Sequence, residues 1–234
     1  MLECRDITKV YGKQTAVDHV TLTFDPGKIY AMLGPNGSGK TTLMKMAVGL
    51  VKPTSGGFWY QGRPVGRESK NEIAYMSTEP YFYSWMTARD VGIYYQDFFK
   101  DFSMERYEFL LKRMELSPDQ KAKSLSSGMM AKLKIAATLS RDARIFLLDE
   151  PLNGIDLLAR DVIMQTILEM RSPQTALVIS SHLVDELEKI TDIAIYMKLS
   201  HLITVRDTSE LYASEQKSMV DLYREIYRHG GDLS

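Results

Sequence analysis

Gly34-Pro35-Asn36-Gly37-Ser38-Gly39-Lys40-Thr41 decides how this chain is read. The octet fits G-x-x-x-x-G-K-[ST] at every position. It lies between an apolar run, Lys28-Ile29-Tyr30-Ala31-Met32-Leu33, and a helical pattern from Lys40 to Val48 that Gly49 closes. Strand, glycine-rich loop and helix start, in that order, are the context in which this motif cradles phosphates. A triphosphate presents many oxygen acceptors close together. Glycines let backbone N–H groups converge on them with no Cβ in the way, and the helix N-terminus adds partial positive charge. Lys40 is then placed to reach the β- and γ-phosphates, the Thr41 hydroxyl to ligate Mg²⁺, and Thr42 to extend the donor set. Gly34, Pro35, Asn36, Gly37, Ser38 and Gly39 form the cradle itself.

A second stretch supplies the matching acids. Ile145-Phe146-Leu147-Leu148-Asp149-Glu150 is an apolar strand ending in two carboxylates. Asp149 is placed to hold Mg²⁺ through water, and Glu150 to polarise the attacking water. Around these motifs the pattern alternates. Val20–Phe24, Phe58–Tyr60, Ile73–Met76 and Ala176–Ser180 read as strands, and Leu157 to Met170 as a helix ended by Arg171-Ser172-Pro173. Thr87-Ala88-Arg89-Asp90 has the form of a capping box, and apolar residues follow at helical spacing from Val91 to Phe98 and from Tyr107 to Met114. Residues 87 to about 123 thus read as a helical subdomain, and Ser209 to His229 as one further helix.

The charge balance, 29 Lys+Arg against 30 Asp+Glu, does not signal a dominant polyanion-binding role, though it leaves room for a local basic site, and no nucleic-acid partner is expected. The single cysteine, Cys4, can build neither a disulfide framework nor a thiolate zinc site. No apolar run approaches the ~20 residues of a membrane helix, and the charged N-terminus shows no secretory signal. The expected compartment is the cytoplasm.

Leu125-Ser126-Ser127-Gly128-Met129 precedes a helix shortly before the acidic strand. Here the sequence resembles the ATP-binding subunit of an ABC transporter, whose signature is of the Leu-Ser-Gly-Gly-Gln type. Ser126 and Gly128 match; Ser127 and Met129 depart. The resemblance covers roughly residues 2 to 206. It implies the ABC ATPase fold: an α/β, RecA-like core around the phosphate loop, an N-terminal antiparallel β element and an inserted helical subdomain. The domain would span 1–206, with 207–234 as a helical tail. It implies ATP hydrolysis with Mg²⁺, and a sandwich of two ATP molecules between two such chains, identical or related. Ser126 and Gly128 of each chain would face the γ-phosphate held by the other. It also implies that Tyr11 stacks on adenine, that Asp156 in Asn153-Gly154-Ile155-Asp156 couples the two sites, and that His182 contacts the γ-phosphate and the attacking water.

One departure bears on coupling. The family places Gln after the strand equivalent to Ile73–Met76, where this chain has Thr78-Glu79-Pro80. Thr78 is the positional replacement and a candidate Mg²⁺ contact, and Glu79 is the longer acid beside it; either can substitute. Tyr81-Phe82-Tyr83-Ser84-Trp85 follows, where the family forms the groove for a transmembrane permease subunit. These aromatics are either that surface or plain core. Asp101-Phe102-Ser103 and the Leu-Ser-Ser-Gly-Met form resemble single-domain bacterial ABC-2-type export ATPases, including ones for antibiotics and antimicrobial peptides. The subunit would then sit on the inner face of the cell membrane. A soluble ABC ATPase that moves no solute, a subunit that binds but barely hydrolyses ATP, and a small-molecule kinase are the alternatives. The signature segment and His182 speak against the last.

Overall fold

In the computed structural model, residues 1–79 and 81–228 are described; Pro80 and 229–234, including His229 at the end of the predicted tail helix, lie outside that description. The chain begins with strands β1 (Leu2–Tyr11) and β2 (Gln14–Phe24), then β3 (Ile29–Leu33) and helix α1 (Lys40–Ala47). Next come β4 (Ser55–Tyr60), β5 (Arg63–Pro64), β6 (Ile73–Met76), α2 (Ala88–Phe98), α3 (Met104–Arg113) and α4 (Ser127–Leu139). The remainder is β7 (Ile145–Asp149), α5 (Leu157–Glu169), β8 (Ala176–Ser181), α6 (Val184–Glu188), β9 (Ile193–Lys198), β10 (His201–Asp207), α7 (Thr208–Glu215) and α8 (Met219–Arg228).

Two sheets result. The smaller is antiparallel in the order β2-β1-β4-β5; the larger runs β10-β9-β3-β8-β7-β6. β9, β3, β8, β7 and β6 are parallel, and only β10 runs antiparallel, against β9. The parallel strands are short and apolar because both faces are covered. Alternation along β3 and β7 divides the core. Tyr30, Met32, Ile145 and Leu147 face Leu43 and Met44 of α1 and the small sheet. Ala31, Leu33, Phe146 and Leu148 face the helices of the other layer, including Leu133 and Ile135 of α4 and Ile163 of α5. Helix α1 is therefore held between the sheets, and its N-terminus points from the end of β3.

The capping signals read from sequence form as such. Thr87 accepts from the Asp90 backbone N–H, and Asp90 accepts from the Thr87 N–H at 2.8 Å. Gly49, at φ +69°, follows α1. The tail differs from the single helix expected over 209–229. Gln216 takes a left-handed conformation (φ 53°, ψ 31°), which no continuous α-helix accommodates, and α7 and α8 form on either side of it. Tyr196 Oη donates to Met219 O at 3.0 Å, so the first residue of α8 is anchored to a buried tyrosine of β9.

Candidate functional site

A cleft of about 440 Å³ opens over the start of α1. Tyr11, Asn36, Gly37, Ser38, Gly39, Lys40, Thr41, Thr42, Thr78, Glu150 and His182 line it, joined by Gln14, Ala16 and Asn153, which sequence reasoning did not single out. Three glycines give the loop its shape, Gly37 at φ +82° among them. Gly34 and Gly39 sit at φ +153° and +105°, and a Cβ on Gly39 would come within 2.5 Å of Ala16 O. A Cβ on Gly34 would overlap Met197 O. Tyr227 Oη, on α8, donates to that same Met197 carbonyl at 2.8 Å and lies 3.3 Å from Leu33 O, so the C-terminal helix buttresses the base of the loop.

Lys40 is buried, with Nζ donating to Gly34 O at 2.6 Å and Pro35 O at 3.2 Å. Burial draws its ammonium below the ordinary lysine range, and the Glu150 and Asp149 carboxylates oppose that shift. Gly34 and Pro35 thus serve through their carbonyls and do not line the cleft.

Asp149 ends β7, fully buried, at the point where three hydroxyls meet. Ser180 Oγ donates to its Oδ1 at 2.6 Å and Thr41 Oγ1 to the same oxygen at 3.1 Å; Tyr75 Oη approaches Oδ2 at 3.4 Å. Burial, and after it the Asp149 charge, raises the Tyr75 phenol above its ordinary pKa. In the sequence, Ser180 is marked only as the end of an apolar strand. The parallel register that sets Asp149 opposite Ser180 gives it its place.

Glu150 follows at φ +50°, a conformation uncommon for a residue with a side chain. Its N–H is held by Ser180 O at 3.1 Å and Ser180 Oγ at 3.0 Å. Its Oε2 accepts from His182 Nδ1 at 2.9 Å, which leaves Nε2 of the ring free. Its Oε1 stands 3.9 Å from Lys40 Nζ. Among the described residues, Ser38 Oγ and Glu150 Oε1 are the buried side-chain atoms without a hydrogen-bond partner, and both belong to this cleft.

Other candidates lie apart. Ser126 caps α4, its Oγ accepting from the Met129 N–H at 3.3 Å. A Cβ on Gly128 would stand 2.9 Å from Gly154 O, so that glycine permits close approach within its own chain. Neither lines the cleft. Asp156 caps α5 through the Ala159 N–H at 3.0 Å, and that bond lowers its pKa. Tyr11 is half exposed at the mouth, with Lys9 Nζ 4.7 Å from its ring centroid. Thr78 lines the cleft, whereas the Glu79 carboxylate turns away to accept from Lys45 Nζ at 2.7 Å. The aromatic run divides. Phe82 packs against the core, while Tyr83 and Trp85 are exposed and stacked on each other at 5.9 Å.

Strand, phosphate loop and helix, with paired acids at the end of β7 two strands away in the same parallel sheet, define a nucleoside-triphosphate-binding cassette. A family model described as ABC transporter matches residues 17–153, and the chain belongs to that family; it is an ATP-binding, ATP-hydrolysing subunit. The lantibiotic transport ATP-binding protein SrtF of Streptococcus pyogenes is 34% identical over 82% of this chain and 84% of its own length. The bacitracin transport ATP-binding protein BcrA of Enterococcus faecalis is 31% identical over 93% of this chain and 72% of its own. In fold, an ATP-binding subunit of an ABC transporter superposes with a TM-score of 0.86 at 24% identity, covering 97% of this chain and 99% of that one. The dimeric structure of a bacterial ABC transporter cassette follows at 0.78 and 23%, covering 88% and 98%. Among the described residues no helix is long and apolar enough to cross a membrane.

Proposed function

We propose that this subunit hydrolyses ATP at the Lys40–Glu150 cleft and drives export of an antibiotic or antimicrobial peptide through a separate transmembrane subunit. One observation carries the catalytic assignment: Glu150 Oε1 is buried beside the phosphate loop and accepts no hydrogen bond, its near charge being Lys40 Nζ at 3.9 Å. A carboxylate kept out of water with an unused lone pair is a competent proton acceptor. The loop N–H groups and Lys40 take the β- and γ-phosphates. Glu150 accepts the proton as water attacks the γ-phosphorus, and the bond to the β-phosphate oxygen breaks, giving ADP and phosphate. His182, oriented through its Nδ1–Glu150 bond, presents Nε2 towards the γ-phosphate side. Tyr11 offers a ring for adenine.

Mg²⁺ fits the donor set. Thr41 Oγ1 and Asp149 Oδ1, 3.1 Å apart, are hard oxygen donors at the phosphate loop. Thr41 would ligate the ion and Asp149 would hold it through water, with Thr78, which lines the same cleft, a further candidate contact; bound there, it would neutralise charge on the β- and γ-phosphates.

Two chains, identical or related, would close on ATP, with Ser126 and Gly128 at the partner's γ-phosphate. The exposed Tyr83–Trp85 pair is the surface for the transmembrane subunit, which would keep this chain at the inner face of the membrane. The export reading rests on the likeness to the lantibiotic and bacitracin transport proteins. Glu150→Gln tests the chemistry: ATP binding persists, an ATP-bound dimer accumulates in sedimentation, and turnover is lost. Wild-type turnover in that variant would overturn the assignment. Peptide resistance in cells expressing this subunit with its membrane partner, lost with Glu150→Gln, tests the cargo.

A further inference from the structure

Lys134 is the side chain least suited to its surroundings. It lies on α4 beside Leu133, Ile135 and Ala137, all buried, and is itself only 5% exposed. Lysine is hardly ever buried without partners, because its ammonium gives up hydration. Here Nζ donates to three successive carbonyls: Ser77 O at 3.1 Å, Thr78 O at 2.8 Å and Glu79 O at 2.8 Å. Successive carbonyls of an extended chain point to opposite sides. These three converge on one point, so the backbone after β6 is turned, and the ammonium makes that turn favourable. Burial lowers the Lys134 pKa, and the Glu79 and Asp149 carboxylates oppose the shift. The same loop is tied on its other side by Lys45 of α1, which donates to Glu79 Oε1.

We infer that Lys134 is a positioning residue: its ammonium gathers the carbonyls of Ser77, Thr78 and Glu79 and so holds Thr78 against the nucleotide cleft. This rests on the reading of Thr78 as a cleft residue that acts in hydrolysis. The loop is fastened to the helix that carries the phosphate loop and to the helix that starts at Ser126. Lys134 therefore makes the position of Thr78 depend on that of α4.

A positioning role and a stabilising role predict different signs. Replacing a buried charge with an apolar side chain of similar size is often neutral or stabilising, and the three carbonyls are only part-buried, so water can reach them. Lys134→Met should keep or raise the melting temperature while kcat falls about five- to tenfold, with KM for ATP and affinity for a fluorescent ATP analogue within about twofold. Lys134→Arg should recover most of the turnover. Lys134→Gln, which keeps an N–H donor, should fall between, and it serves if the Met variant does not fold. Unchanged kcat in the Met or Gln variant would overturn the inference, as would a drop in melting temperature with normal turnover per folded molecule. Thr78→Val separates the two layers. If it lowers kcat while Lys134→Met does not, the inference fails and the reading of Thr78 stands. If it leaves kcat unchanged, that reading fails, and with it the proposed purpose of Lys134.

Discussion

Removing the Ser180 hydroxyl should weaken both the fold and the chemistry. Ser180 Oγ donates to Asp149 Oδ1 at 2.6 Å and accepts from the Glu150 N–H at 3.0 Å, and both Ser180 and Asp149 are fully buried. A hydrogen bond to a buried charge is worth about 1.5–3 kcal/mol. Thr41 at 3.1 Å and Tyr75 at 3.4 Å remain on the carboxylate, and Ser180 O still holds the Glu150 N–H, so the middle of that range applies. For a chain of this size, each kcal/mol moves the melting temperature by roughly 2–4 °C, so Ser180→Ala should lower it by about 4–8 °C. The same hydroxyl helps to hold Glu150 at its positive φ. Releasing it moves the carboxylate proposed to accept the proton of the attacking water, and on that proposal turnover should fall about tenfold. Thermal melting and steady-state ATPase on the same preparation check both effects. A melting temperature within about 1 °C of wild type with turnover within about twofold would refute the account.

At the base of the loop, Tyr227→Phe removes the donor to Met197 O and should weaken ATP binding roughly fivefold, measured by titration with a fluorescent analogue. Tyr11→Phe should be mild and Tyr11→Ala should cost about fivefold in affinity, because stacking needs the ring; equal losses would implicate the hydroxyl. Thr87→Ala should cost about 1 kcal/mol at the capping box of α2, seen as a melting shift of roughly 2–4 °C. The Asp90 carboxyl is held below its ordinary pKa, first by the Thr87 backbone N–H. Its contribution to stability is therefore present above the unfolded-state pKa and is lost as pH falls through the lower folded-state value; Asp90→Asn should flatten that acid limb of a pH–stability profile.

Much of the site was legible because its demands are local. Gly34 and Gly39 are glycines since a Cβ there would strike a backbone carbonyl, and Lys40-Thr41 begins α1 directly behind them. Apolar β3 and β7 announce themselves because parallel strands are buried on both faces, and Asp149-Glu150 stands where one of them ends. Thr87 with Asp90 and Ser126 with Met129 are caps whose partners lie three residues away. Such features are set by φ, by Cβ clashes and by orphan N–H groups, all of which act over a few residues. The tertiary structure alone decided the rest. The strand order β3-β8-β7 brings Ser180 to Asp149, and nothing beside either residue foretells it. Glu79 turned to Lys45 rather than to the cleft, and Lys134 found three carbonyls more than fifty residues away. The tail broke at Gln216, and Tyr227 came to rest on carbonyls at the base of the phosphate loop. A buried donor or acceptor must be satisfied by whatever polar group the packed chain brings within about 3 Å, and that choice depends on topology and desolvation, which no short stretch of sequence carries.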